Sequence, residues 1–253
     1  MVKQGWAALL ALPMLAACQP AEAPQPVDPA RFDRFFLWAG VPPPPAVAQA
    51  RELYILGGEI RRGGPVRLVA MRAGVPHVAQ AKVWLTVRTE RLDWDARVWG
   101  DVRTMLARWR GAGNRLEGLQ IDFDAATPGL DRYRTFLEQV RRELPPGTRL
   151  SITGLLDWSA NGDPAELARL SGLVDEVVIQ TYQGRTTIPG YAAWFAHIDT
   201  LPFTHKIALV EGGEWTAPAA LARDRRFAGY VVFLLAPPNA RPPSPAGRDP
   251  RRP

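Results

Sequence analysis

A chain of 253 residues, 47% of them hydrophobic, is long enough to bury a substantial core in one large domain. Its net charge of +6 does not mark a nucleic-acid binder: Lys3, with four arginines against one aspartate in residues 241–253, accounts for four of those charges and leaves residues 19–240 at +2. The single cysteine, Cys18, excludes an internal disulfide, and His77, His197 and His205 stand singly without ligand spacing, so neither a metal nor a cofactor is expected.

Residues 1–18 have the pattern of an export signal: Lys3, an apolar run over residues 6–15, then small residues, a segment too short to span a bilayer as a permanent helix. It closes Leu15-Ala16-Ala17-Cys18, which resembles the lipobox of bacterial lipoproteins and implies cleavage before Cys18 and lipid modification of that residue. Gln19 rather than aspartate follows, which by the same resemblance implies a periplasm-facing protein anchored to the outer rather than the inner membrane. An ordinary signal peptide with an incidental cysteine is the alternative. Residues 19–30, rich in proline and alanine without an apolar period, predict a semi-stiff tether, and residues 241–253 a disordered tail. The body, residues 31–240, is expected to be one monomeric domain.

Along that body, residues 34–41 are an apolar run stopped by Pro42 to Pro45, a buried strand and a rigid break. Residues 53–60 and 66–71 flank four glycines and suggest a strand with a hairpin-like excursion. A strand over residues 82–89 is followed by a helix over residues 95–111, with Val98, Val102, Met105, Leu106 and Trp109 at helical spacing. Alternation then resumes: strand 116–125, helix 130–144, strand 150–156, helix 163–170 with Asp163 as candidate cap, strand 174–182, short helix 191–198, strand 206–210, helix 217–225 begun at Thr216, and strand 230–235. Nearly eight strands in strict alternation with helices predict a (β/α)8 TIM-like barrel, irregular or incomplete in its first third, with an open α/β sheet as the alternative.

Leu119, Ile121 and Phe123 alternate with Gln120, Asp122 and Asp124, so one face of this strand is apolar and the other carries carboxylates. A parallel strand covered on both sides points that polar face into an interior, where two acids need a chemical reason. Barrel enzymes place their sites at the C-terminal ends of the strands. Read that way, Trp38 ends the first strand, Asp122 and Asp124 the fourth, and Gln180 and Tyr182 the sixth; Trp158 follows the fifth, and Glu211, Glu214 and Trp215 follow the seventh. Carboxylates with aromatics at one rim suit a sugar, whose apolar ring faces stack on aromatic rings while carboxylates protonate leaving oxygens or orient hydroxyls.

Glu117-Gly118-Leu119-Gln120-Ile121-Asp122-Phe123-Asp124 resembles the fourth-strand motif D-G-x-D-x-D-x-E of chitinase-like glycoside hydrolases, and Gln180-Thr181-Tyr182 resembles their sixth-strand M-x-Y. The resemblance implies that Asp124 is the general acid, that Asp122 orients an acetamido group acting as nucleophile, and that Tyr182 contacts that group. Asp124 stands where that family has glutamate and Gln120 where it has aspartate. A closer resemblance is to the bacterial domain-of-unknown-function family numbered 3142, whose G-L-x-I-D-x-D, Y-x-x-F-L, L-P-x-G and L-S-I-T correspond to residues 118–124, 133–137, 144–147 and 150–153. That family has no established activity and supports the fold and the importance of the strand.

Two functions follow. One is a cell-envelope glycoside hydrolase acting on a glycan that contains N-acetyl sugars, with Asp124, Asp122 and Tyr182 in the roles above and Gln120, Gln180, Trp38, Trp158, Trp215, Glu211 and Glu214 lining the substrate site. The other is the same barrel as a catalytically silent glycan-binding lipoprotein. The structural alternative for Asp122 and Asp124 is to cap loop amides or hold an arginine such as Arg149.

Overall fold

The structure, a computed structural model, describes residues 24–236; Cys18, the expected signal and the expected tail lie outside them. Eight strands form the body: β1 Arg34–Leu37, β2 Glu52–Ile60, β3 Lys82–Thr89, β4 Arg115–Asp122, β5 Arg149–Leu155, β6 Glu176–Gln180, β7 His205–Val210 and β8 Phe227–Phe233. Consecutive strands pair in parallel, and β8 pairs back onto β1 through Val232 with Phe35 and Phe233 with Phe36. The sheet is therefore a closed eight-stranded barrel, not an open sheet.

The irregularity expected in the first third has a physical origin. β1 stops after four residues, turns at Ala39 and Gly40, where Gly40 has φ 81°, and pairs with β2 only as far as Leu37 with Ile55; the prolines from Pro42 keep the chain from resuming the ladder. The nine-residue β2 runs on, and its upper end, Gly58 and Glu59, takes the antiparallel pair Val69–Ala70 in place of β1. Arg72 closes this corner by donating to the carbonyls of Leu56 and Leu37, each at 3.0 Å.

Helices cover the barrel where the apolar period is strong. The helix α1, Ala96–Gly111, starts on Asp95, whose carboxylate accepts from the Val98 N–H at 2.9 Å, and buries Val98, Val102, Leu106 and Trp109. The helix α2, Leu130–Glu143, buries Tyr133, Phe136, Leu137 and Val140, while α3, Asp157–Asn161, and α4, Pro164–Ser171, follow β5, the latter capped by Asp163 as expected. The helices expected after β6 and β7 are 3-10 instead, Tyr191–Thr200 and Ala219–Arg223. Neither has a side-chain cap at its start; the first is broken at His197, and the second follows Pro218 rather than Thr216.

The described part of the expected tether, residues 24–30, is docked on the barrel. Gln25 and Pro26 pair with Trp215 and Glu214, and Val27 is buried with its N–H on the Gly213 carbonyl at 2.8 Å. Val27 is the one branched apolar residue in that proline-rich run, and its burial holds the segment against the barrel.

Alternation divides each strand between an outer core against the helices and an inner core inside the barrel, where Phe36, Tyr54, Trp84, Val178, Ala208 and Val231 meet. Trp84 stacks on Tyr54 at 6.0 Å, and its bulk explains Gly118: a Cβ there would lie 2.1 Å from the Arg149 carbonyl oxygen and 2.8 Å from the indole. At the N-terminal end, the buried Lys206 Nζ donates to Glu52 at 2.6 Å, Glu176 at 2.9 Å and the Tyr54 hydroxyl at 2.8 Å. Tyr54 in turn donates to Glu176 at 2.6 Å, so every group of the cluster is paired.

Candidate functional site

Register builds the site. Glu59 of β2, Arg88 of β3 and Asp122 of β4 are paired positions on consecutive strands near their C-terminal ends, a row of alternating charge. Asp122 is 6% exposed, and its Oδ1 accepts from the Thr153 hydroxyl of β5 at 3.0 Å, while Thr153 accepts from the Phe123 N–H at 3.1 Å. The arginine that faces Asp122 is Arg88, with Nε 3.9 Å from Oδ2. Arg149 sits at the opposite end of the barrel and pairs with Glu117 and Asp175.

Burial pushes the Asp122 carboxyl up to about 6; Arg88 and the Thr153 hydroxyl oppose the rise, and the negative charges of Asp124 and Glu59 add to it. A carboxyl tuned to that range can both give and take a proton near neutrality. Asp124, two residues on, is exposed at the mouth. Both acids line one cleft of about 470 Å3 with Arg62, Arg88, Thr89, Glu90 and Phe123. The resemblance gives the acid role to Asp124, whereas burial tunes Asp122.

Tyr182 lies within the electrostatic reach of this pair but does not line their cleft. Burial, then the field of Asp122, holds its phenol well above the ordinary range, and Gln180 hydrogen-bonds it. Its ring packs on Phe233 at 5.3 Å, and Phe233 on Trp38 at 5.1 Å, so β1, β6 and β8 contribute an aromatic arc to the barrel mouth. Below Phe123, Tyr133 of α2 is fully buried, its hydroxyl without a partner among the described residues.

Other residues singled out from the sequence stand elsewhere. Gln120 is fully buried one layer deeper, accepting from Thr86 at 3.1 Å and donating to Ser151 at 3.1 Å; Ser151 donates to Glu176, so the position belongs to the polar network inside the barrel. Trp158 is 1% exposed and donates from Nε1 to the Ala125 carbonyl at 2.8 Å. With Asp157, which accepts from the Thr127 N–H and hydroxyl, it fastens the loop that follows β4. Trp215 stacks on Tyr191 at 4.6 Å outside the barrel, Glu214 is exposed on the docked N-terminal segment, and Glu211 accepts from the Leu235 N–H at 2.8 Å.

Arg88, Glu59, Thr153 and Arg62 escaped the sequence reading. In Lys82-Val83-Trp84-Leu85-Thr86-Val87-Arg88 the polar residues alternate as they do in β4, and that period carried the signal for Arg88. Among the described residues no group of three His, Cys, Asp or Glu is placed to hold a metal ion, and no helix is long and apolar enough to cross a membrane.

Residues 74–190 match the family model described as Domain of unknown function (DUF3142), which bears out the resemblance read from residues 118–153. The matched stretch runs over β3 to β6 and holds both acids. No curated protein sequence matches the chain. Solved structures similar to it include the Bacillus cereus spore cortex-lytic enzyme SleL, at 18% identity and TM-score 0.47 over 70% of this chain and 50% of that one. Two others are the chitinase domain of the spore coat protein CotE from Clostridium difficile, at 11% identity and TM-score 0.47 over 79% and 68%, and a tamarind chitinase-like lectin, at 10% identity and TM-score 0.48 over 80% and 94%. The chain spans half the length of the first of these. Likeness at this level says nothing of activity, and the barrel stands on its own strand pairing.

Proposed function

We propose that the barrel mouth is a glycan site and that the protein is a glycoside hydrolase acting on chains that contain N-acetyl sugars. The observation that carries this is the pairing of a buried, upshifted Asp122 with an exposed Asp124 in one cleft at the strand ends. Tyr182, within their electrostatic reach, would orient the sugar, and the Trp38–Phe233 arc offers ring faces. Turnover of chitooligosaccharides and peptidoglycan fragments by the full chain, lost in Asp124→Asn and in Asp122→Asn, tests it.

A second reading, binding without turnover, is favoured by Arg88 standing over Asp122 and by Gln120 where the chitinase-like motif has a third carboxylate. Glycan binding with no products, kept in Asp124→Asn, would select it. We also propose that Cys18 is the lipid-modified N-terminus of an envelope protein facing the periplasm from the outer membrane, which acts as a monomer. Incorporation of labelled fatty acid that disappears in Cys18→Ser tests the anchor.

A further inference from the structure

We infer that Arg88 and Arg62 make this cleft selective for glycan units that bear a carboxylate, either a uronate ring or a lactyl ether. The inference rests on the glycan reading above and narrows it to a ligand class.

Both arginines line the 470 Å3 cleft together with Asp122 and Asp124. The Arg88 side chain is 45% exposed, and among the described residues its partner is Asp122 at 3.9 Å, which is ion-pair range but beyond hydrogen-bond length. Its guanidinium therefore faces the cleft with its donors unspent, and Arg88 also borders the adjoining cavity beside Glu59 and Glu90. Arg62 is exposed, and the group it gives to Glu90 is its backbone N–H, at 2.6 Å, which leaves its side chain to the solvent side of the cleft. Competing acids are partly engaged: Glu59 holds Arg61 at 2.8 Å, and Glu90 accepts from Arg62.

The two guanidinium groups stand among the acids Glu90, Asp122 and Asp124 and give the cleft charged donors, which gain most from a charged acceptor. A ligand carboxylate can take the two arginines in a fork while its ring hydroxyls meet Asp124. Arg62 also borders a neighbouring cavity of about 650 Å3 that includes Arg132, Glu90 and the Arg91–Asp93 ion pair.

Titration calorimetry on the full chain with three probes tests this: chitotetraose, a tetragalacturonate, and a tetrasaccharide of alternating N-acetylglucosamine and N-acetylmuramic acid. At least one carboxylate-bearing probe is expected to bind about tenfold or more tighter than chitotetraose, with an advantage that shrinks between 0.05 and 0.5 M salt. The probe that wins identifies uronate or lactyl ether. Arg88→Gln should bring the ratio of affinities close to one. Arg62→Gln, at an exposed position that leaves the fold intact, should lower the ratio by about threefold or more. Equal binding of neutral and acidic probes, or a ratio unchanged in both variants, overturns the inference while leaving the glycan reading in place. Binding of none of the three overturns both.

Discussion

Arg88 and Asp122 occupy paired positions on β3 and β4, and their side chains approach to 3.9 Å beside the cleft at the C-terminal ends of these strands. A carboxylate so placed is under two opposed influences. Burial favours its neutral form and the guanidinium favours its charged form; burial prevails, and the carboxyl rests at about 6. Its protonation is therefore poised in the range where small changes of environment, such as ligand entry, move it.

Stability should record this poise. A carboxyl whose folded pKa, about 6, lies above its ordinary 3.8 favours folding fully below the lower value and loses that contribution as pH rises through the upper one. Asp122→Asn keeps an acceptor for Thr153 and carries no charge. It should match the wild type near pH 4 and exceed it by up to about 3 kcal/mol at pH 7. Urea unfolding of both proteins at pH 4, 5, 6 and 7 checks the slope; parallel curves would mean that Asp122 is not held up.

At the other end of the barrel, Lys206 neutralises Glu52 and Glu176 in a dry interior. Lys206→Met leaves the buried Glu176 without a cation and Glu52 with Arg34 alone, and should cost about 3 kcal/mol or more in urea unfolding at pH 7. The loss should shrink as pH falls and the carboxylates protonate.

Gly118 lets Trp84 fill the barrel. Gly118→Ala places a methyl against the Arg149 carbonyl and the indole, and neither can retreat without shifting a strand. A loss of about 1 to 3 kcal/mol, with a changed near-ultraviolet signal from Trp84, is expected on thermal and urea unfolding.

Much of this was legible because local signals agreed. The alternation in residues 116–124 located the central strand, Asp163 before Pro164 marked a helix start that the structure keeps, and the count of alternating elements pointed to a closed barrel. What escaped depends on register, which no single segment contains. Arg88 became a partner of Asp122 only once β3 and β4 were aligned, and the same alignment moved Arg149 to the far end. Gln120 fills a motif position, yet its depth on the strand gives it to Thr86 and Ser151. Trp158 carries the ring of a sugar platform, but its N–H is spent on Ala125 inside the core. The 3-10 segments after β6 and β7 show apolar periodicity without the caps that would have extended them into α-helices.

The most direct measurement is amide hydrogen exchange of the full chain with and without a saturating N-acetyl-sugar oligosaccharide. Slowed exchange is expected at residues 88–90 and 122–127, the two edges of the cleft, with little change at residues 205–210 in the far wall. Slowed exchange confined to other surfaces, or none at all, would contradict a glycan site at the mouth of this barrel.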